Sequence, residues 1–218
     1  MVNNMVKIST SILSINDDLI NNIKKLNNTT TDFIHYDIMD GKFVSNKSFS
    51  FEQIEEINKV VTKPIDVHLM VEEPREYIEF YSKLKPNYLT IHYEIADLEK
   101  YIDLIKSYNI KVGVSIKPNT KVNKVLPLLH KVDLILVMSV EPGMGGQKFI
   151  DEATDKIKQI KNYIVTNNLN TVIEVDGGIN NITSKKCIKA GVDILVSGSY
   201  ITNNEDYQEK INELKKEL

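Results

Sequence analysis

The sequence predicts an α/β protein built as a single-domain (β/α)8 TIM barrel, and three observations carry the prediction. Eight short runs rich in β-branched and aromatic residues recur along the 218 residues. Segments with helical punctuation separate them, and no low-complexity linker divides the chain, so residues 1–218 read as one domain. Alternation alone also suits an open, doubly wound sheet. Eight strand–helix units in a chain of about 220 residues sit at the compact end of the barrel's size range.

The first strand covers 6–13 ("VKISTSIL") and leads to a helix over 17–26. A second strand, 32–38, precedes a helix over 51–60, and a third, 65–70, precedes one over 74–84. Pro74 suits the first turn of that helix, where its missing N–H costs nothing. Strands at 88–93 and 111–116 are followed by helices over 97–108 and 122–130. The sixth strand, 134–138, is followed by a helix over 151–167, and the seventh, 172–176, by one over 184–190. Asn180 and Thr183 suit that helix's start, and Gly191 suits its end. The eighth strand, 194–197, is followed by a last helix over 205–218, with Ser199 placed to begin a short extra helix between them.

Composition narrows the function classes. The net charge is −3, with Lys and Glu intermixed rather than clustered, so a nucleic-acid partner is not expected. Polar residues 21–31 and the charged end at 215–217 read as solvated faces. A lone cysteine, Cys187, excludes an intramolecular disulfide and fits a reducing compartment. The first residues lack the apolar core of a signal peptide, and no run approaches the ~18 apolar residues of a membrane span. The expectation is a cytoplasmic protein with no membrane partner.

Catalytic groups of this fold collect at the C-terminal strand ends. Residues i and i+2 of a strand share a face, so "HYDIMDG" puts His35, Asp37 and Met39 together. On the same reasoning "IDVHLM" aligns Asp66, His68 and Met70, "VIEVDGG" aligns Glu174 and Asp176, and "TIHYE" aligns Thr90, His92 and Glu94. Burying a carboxylate such as Asp37 costs several kcal/mol unless something compensates it. Inward faces converge in a barrel, so His35, Asp37, His68 and Asp176 could surround one divalent ion. Two imidazoles with two carboxylates suit Zn, Fe, Mn or Co better than Mg or Ca. His92, Asp66 and Glu174 are assigned supporting roles, and His130 none.

Three loops near the last strand ends are glycine-rich: "EPGMGGQ" (141–147), "DGGIN" (176–180) and "SGSY" (197–200). Glycine lets backbone N–H groups approach an anion, and barrels commonly bind phosphate after their last strands. No Gly-Lys-Ser/Thr follows "GMGGQ", so this is not a nucleotide P-loop.

Taken in order, "STSILS", "FIHYDIMDGKFV", "PIDVHLMVEEP", "MSVEPGMGGQKFI", "IEVDGGIN" and "AGVDILVSGS" closely resemble the ribulose-phosphate 3-epimerase family, from about Lys7 to Ser199. The resemblance implies a (β/α)8 barrel, one divalent metal, and interconversion of D-ribulose 5-phosphate with D-xylulose 5-phosphate in the pentose phosphate pathway. It implies His35, Asp37, His68 and Asp176 as metal ligands, with Asp37 and Asp176 as the acid/base pair. Ser11 and His68 match substrate contacts. Gly143, Met144, Gly145, Gly146, Gly177, Gly178, Gly198 and Ser199 match the phosphate-binding loops. Met39, Met70 and Met138 match methionines that crowd the reacting carbon, where residues alone would suggest core packing. Relatives are often homo-oligomers, although no apolar stripe on the outer helices marks a contact here.

Inverting C3 of a 2-ketose requires removing a proton beside the C2 carbonyl and returning one to the opposite face. Two opposed acid/base groups suit that demand, with a cis-enediolate between them. The family usually has proline at Thr10 and at Ser45, phenylalanine at Met144, and often glycine at Ser50. None of these departures removes a ligand or an acid/base group. Rival readings are a 3-epimerase of a related phosphoketose such as allulose 6-phosphate, and a barrel that binds sugar phosphate without turnover. A phosphosugar decarboxylase would show D-x-K-x-x-D, which the window 66–71 lacks. A Schiff-base aldolase would rely on Lys117.

Overall fold

The computed structural model describes residues 5–216. Its eight strands are β1 (Lys7–Ser11), β2 (Phe33–Met39), β3 (Ile65–Met70), β4 (Tyr88–His92), β5 (Lys111–Ile116), β6 (Leu134–Met138), β7 (Val172–Asp176) and β8 (Ile194–Ser197). Each pairs in parallel with its sequence neighbours, and β8 closes onto β1. The expected closed (β/α)8 barrel is therefore the fold, and the open sheet is excluded. Around it run α1 (Leu19–Asn27), α2 (Phe51–Asn58), α3 (Arg75–Ser82), α4 (Leu98–Ser107), α5 (Glu152–Thr166), α6 (Thr183–Ala190), the short α7 (Ser199–Thr202) and α8 (Tyr207–Lys215). No helix among the described residues is long and apolar enough to cross a membrane.

One expected helix is not α-helical. Residues 122–130 form two 3-10 turns, Val122–Lys124 and Leu126–Leu128. Pro127 lies inside the second turn; it offers no N–H and clashes with an α-helical turn before it. Val122, Val125 and Leu129 are nevertheless buried against the barrel, so the apolar spacing serves the core without an α-helix. The helix expected from residue 17 starts only at Leu19, because Asp18 takes left-handed backbone (φ 45°). The last helix begins at Tyr207 behind an Asp206 cap, and its expected end at 217–218 lies outside the described residues.

Strand alternation divides the core in two. Outward residues such as Ile34, Tyr36, Ile38, Val67, Leu69, Leu89 and Ile91 are buried in one cluster with the helices. Each such side chain contributes roughly 1.5–3 kcal/mol of transfer free energy. Inside the barrel, the first residues of the even-numbered strands, Phe33, Tyr88, Leu134 and Ile194, belong to a separate apolar cluster. Further along the strands the interior turns polar. The β2–β3 register sets His35 beside Asp66, Asp37 beside His68 and Met39 beside Met70, so parallel pairing brings these side chains together.

Ser50, where relatives often have glycine, has a local role. Its hydroxyl accepts from the Gln53 N–H while the Gln53 side chain accepts from the Ser50 N–H, a complete capping box on α2. Ser50→Ala should lower unfolding free energy by about 1 kcal/mol, and Ser50→Gly by only a few tenths. Urea denaturation of the two variants checks that order.

Candidate active site

All seven residues of β2 are buried, so a charge on its inner face must be met by neighbours. Ligand atoms of His35, Asp37, His68 and Asp176 all lie within 4.8 Å of one another. The four residues expected to converge do so. Asp66 Oδ2 lies 2.7 Å from His35 Nδ1 and also accepts from Ser9 Oγ at 2.8 Å. This fixes the ring and turns Nε2 toward Asp37 Oδ1, 3.4 Å away. Asp37 Oδ1 is also 3.2 Å from His68 Nδ1, and Ser11 Oγ donates to Asp37 Oδ2 at 2.6 Å.

The electrostatics are those of a site that demands positive charge. Burial opposes a charged His35, yet the Asp37 and Asp66 carboxylates overcome it and hold its pKa well above the usual value. For Asp37 the penalty of burial is outweighed by His35 and His68, so it remains a carboxylate. Burial, with the nearby Asp37 charge, pushes Asp176 up to about 7. Beneath them Glu174 is fully buried with neither carboxyl oxygen hydrogen-bonded among the described residues, and burial plus the Asp66 charge raise its pKa well above normal. Asp66 thus supports His35 as expected, whereas Glu174 makes no hydrogen bond to a ligand among the described residues.

His35 Nε2 is buried with no hydrogen-bond partner among the described residues. An unsatisfied buried group of this kind costs about 1–3 kcal/mol. A divalent cation would satisfy it and would replace a proton as the charge that Asp37 and Asp66 require. The donor set, two imidazole nitrogens and two carboxylates, fits a borderline ion.

A cavity of about 620 Å³ opens over this cluster. Ser11, Asp37, Asp176 and the three methionines Met39, Met70 and Met138 line it, as do Gly143, Met144, Gly145, Gly146, Gly177, Gly178, Gly198 and Ser199. The methionines are buried, and Met39 packs with Met70 and Val44. Met144 is 61% exposed in the loop after β6. That loop is tied by Asn46, whose Nδ2 donates to the Gly143 carbonyl, and by Gln147, whose Nε2 donates to the Glu141 and Met144 carbonyls. Gly178 has φ +61°, and a Cβ there would lie 2.6 Å from the Phe149 nitrogen.

Some features escaped the sequence reading. Ser9 holds Asp66, and strand alternation puts it on the same face as Ser11. Asn46 and Gln147 carry no spacing signal, because their partners are carbonyls of a loop. Lys148 and Lys186 also line the cavity. Lys117 does not; its Nζ sits 3.9 Å from the centroid of the Phe43 ring. His130 is exposed.

Fold and site together define a barrel enzyme with a buried centre of two imidazoles and two carboxyl groups beneath a glycine-rimmed cavity. Residues 7–202 match the Ribulose-phosphate 3 epimerase family. The chain is 38% identical over 214 residues to the ribulose-phosphate 3-epimerase of Bacillus subtilis (strain 168), covering 97% of this chain and 99% of that one. It is 36% identical over 212 residues to the chloroplastic ribulose-5-phosphate-3-epimerase of Arabidopsis thaliana, covering 95% and 75% respectively. Its backbone also superposes on 3-hexulose-6-phosphate synthase from Salmonella typhimurium with a TM-score of 0.70 at 17% identity, covering 96% of this chain and 97% of that one, a likeness of fold alone. The chain belongs to the ribulose-phosphate 3-epimerase family, and it is an enzyme of the isomerase class.

Substitution at Gly178 tests the loop geometry. Gly178→Ala should destabilise the protein by about 1–3 kcal/mol, because a strained backbone meets a main-chain neighbour. Thermal unfolding measures it, and an unchanged midpoint would contradict the close approach.

Proposed function

We propose that this chain interconverts D-ribulose 5-phosphate and D-xylulose 5-phosphate, with Asp37 and Asp176 as the two acid/base groups and one divalent ion (Zn, Fe, Mn or Co) held by His35, Asp37, His68 and Asp176. The observation that carries the proposal is that two carboxyl groups from β2 and β7 reach the same cavity beside two imidazoles. Their environments push their proton affinities apart, the pattern expected of an acid and a base.

Asp37, ionised and aligned by Ser11, is ready to take the C3 proton from one epimer. Asp176, with its pKa raised to about 7, can hold a proton near neutrality and deliver it to the other face. In the reverse direction the roles exchange. Charge develops on the oxygens at C2 and C3 as the proton leaves, and a bound divalent ion would supply electrostatic stabilisation there. Met39, Met70 and Met138 exclude water from the reacting carbon. The loops carrying Gly143–Gly146, Gly177, Gly178, Gly198 and Ser199 hold the phosphate, which fixes C3 between the carboxylates. Ser11 and His68 contact the substrate, and Met144 covers it. One barrel unit, acting in the cytoplasm, suffices for this chemistry.

Asp37→Asn and Asp176→Asn should each lower the interconversion rate by about 10²–10⁴-fold or more in folded protein. Near-normal turnover in either variant would remove that residue from the pair. Dialysis against a chelator should abolish activity, and returning a divalent ion should restore it; full activity after exhaustive chelation would contradict the metal assignment.

A further inference from the structure

The turn after β1 carries one polar side chain that the proposed chemistry leaves unused. Residues Ile12–Ile15 form a turn closed by the Ile15 N–H, which donates to the Ile12 carbonyl at 3.1 Å. Packing pins the other members of the turn. Ile12 is fully buried, Ile15 packs against the same core, and Leu13 packs against Met39, Val44 and Met70. Ser14 is left half-buried on the wall of the cavity.

Strand closure decides what Ser14 faces. The β1–β8 register sets Thr10 beside Ser197, so the turn after β1 runs alongside the loop after β8. Ser14 Oγ lies 3.2 Å from where a Cβ on Gly198 would stand, nearer than any other neighbour. It lies 3.1 Å from where a Cβ on Gly145 would stand, and no other neighbour comes within 4 Å of that point. Gly145 also lacks the positive φ of Gly143 and Gly146. The Ser14 hydroxyl therefore occupies a gap between the loops after β6 and β8, and the missing Cβ on each side keeps that gap open.

The other hydroxyls of the cavity are mostly committed. Ser11 donates to Asp37, Thr183 to the Gly178 carbonyl, Ser197 to the Ile179 carbonyl and Tyr200 to Glu213. Among the described residues only Ser14 and Ser199 line the cavity with a hydroxyl that no protein group engages. Charged donors are few. No arginine lines the cavity, Lys186 is tied to Asp151 at 2.6 Å, and Lys148 is exposed. Neutral donors must then supply much of the recognition of an anion, and a hydrogen bond from a hydroxyl to an anionic oxygen is among the stronger ones.

We propose that Ser14 is a phosphate-binding residue, its hydroxyl donating to a phosphate oxygen held between the Gly145 and Gly198 loops, so that it favours phosphorylated ketoses over neutral ones. The inference rests on the reading of the cavity as a sugar-phosphate site, and it adds a side-chain donor from the β1 side.

Ser14→Ala removes the donor and little else. Binding of inorganic phosphate, followed by ³¹P NMR titration, should weaken about 10-fold, the size expected for one hydrogen bond to a charged group. The KM for D-ribulose 5-phosphate should rise by a similar factor while kcat changes less than about twofold, because a contact to the remote phosphate is made alike in the ground and transition states. Thermal unfolding should show an unchanged midpoint. Unaltered phosphate affinity in Ser14→Ala would overturn the assignment. So would a fall in kcat without a rise in KM, which would make Ser14 a prop for the loop after β6. A wild type that binds no phosphate would overturn the phosphate site and Ser14 with it. A wild type that binds phosphate more tightly than Ser14→Ala, yet turns over neither pentulose phosphate, upholds Ser14 and overturns the proposed reaction instead.

Discussion

Asp37 carries a full negative charge on a strand with no exposed residue, and the surrounding architecture follows from keeping it there. A buried, uncompensated carboxylate would cost several kcal/mol. The compensation comes from three neighbours: Ser11 donates to one oxygen, and His35 and His68 face the other. Each imidazole is fixed from behind by another acid, Asp66 for His35 and Glu94, through His92, for His68. The result is a buried layer of acids and imidazoles inside the barrel, each side chain held by another.

That arrangement depends on strand register. Because β2 and β3 pair with Asp37 beside His68 and His35 beside Asp66, a slip of one residue would turn the whole set outward into the helix-facing core. The apolar base formed by Phe33, Tyr88, Leu134 and Ile194 closes the other end of the barrel, and the cavity then opens only where the loops are. Stability and chemistry are therefore separated along each strand: apolar at its start, polar toward its end.

Much of this was legible in the sequence because a barrel repeats one rule. The alternation of residues in "HYDIMDG", "IDVHLM" and "VIEVDGG" places side chains inward or outward without further information, and the convergence of His35, Asp37, His68 and Asp176 follows from closure. Other features depend on three-dimensional partners. Residues 122–130 have helical apolar spacing, but Pro127 divides them into 3-10 turns. Glu94 lies just past the end of β4, and its donors, the Lys117 N–H and the Thr120 hydroxyl, belong to residues that only folding brings near. Ser50 is the opposite case: serine followed three residues later by glutamine is a readable capping signal that comparison with a glycine-bearing family pattern obscures.

The central claim is that two carboxyl groups remove and return the C3 proton from opposite faces, and hydrogen exchange tests it most directly. Asp37→Asn and Asp176→Asn proteins, each supplied with a divalent ion, would be incubated separately with ribulose 5-phosphate and with xylulose 5-phosphate in D₂O, and deuterium at C3 followed by NMR. With interconversion lost, each variant should still exchange the C3 proton of one epimer only, and the two variants should act on opposite epimers. Exchange of both epimers by either variant would mean that a single base reaches both faces, and the two-carboxylate account would fail.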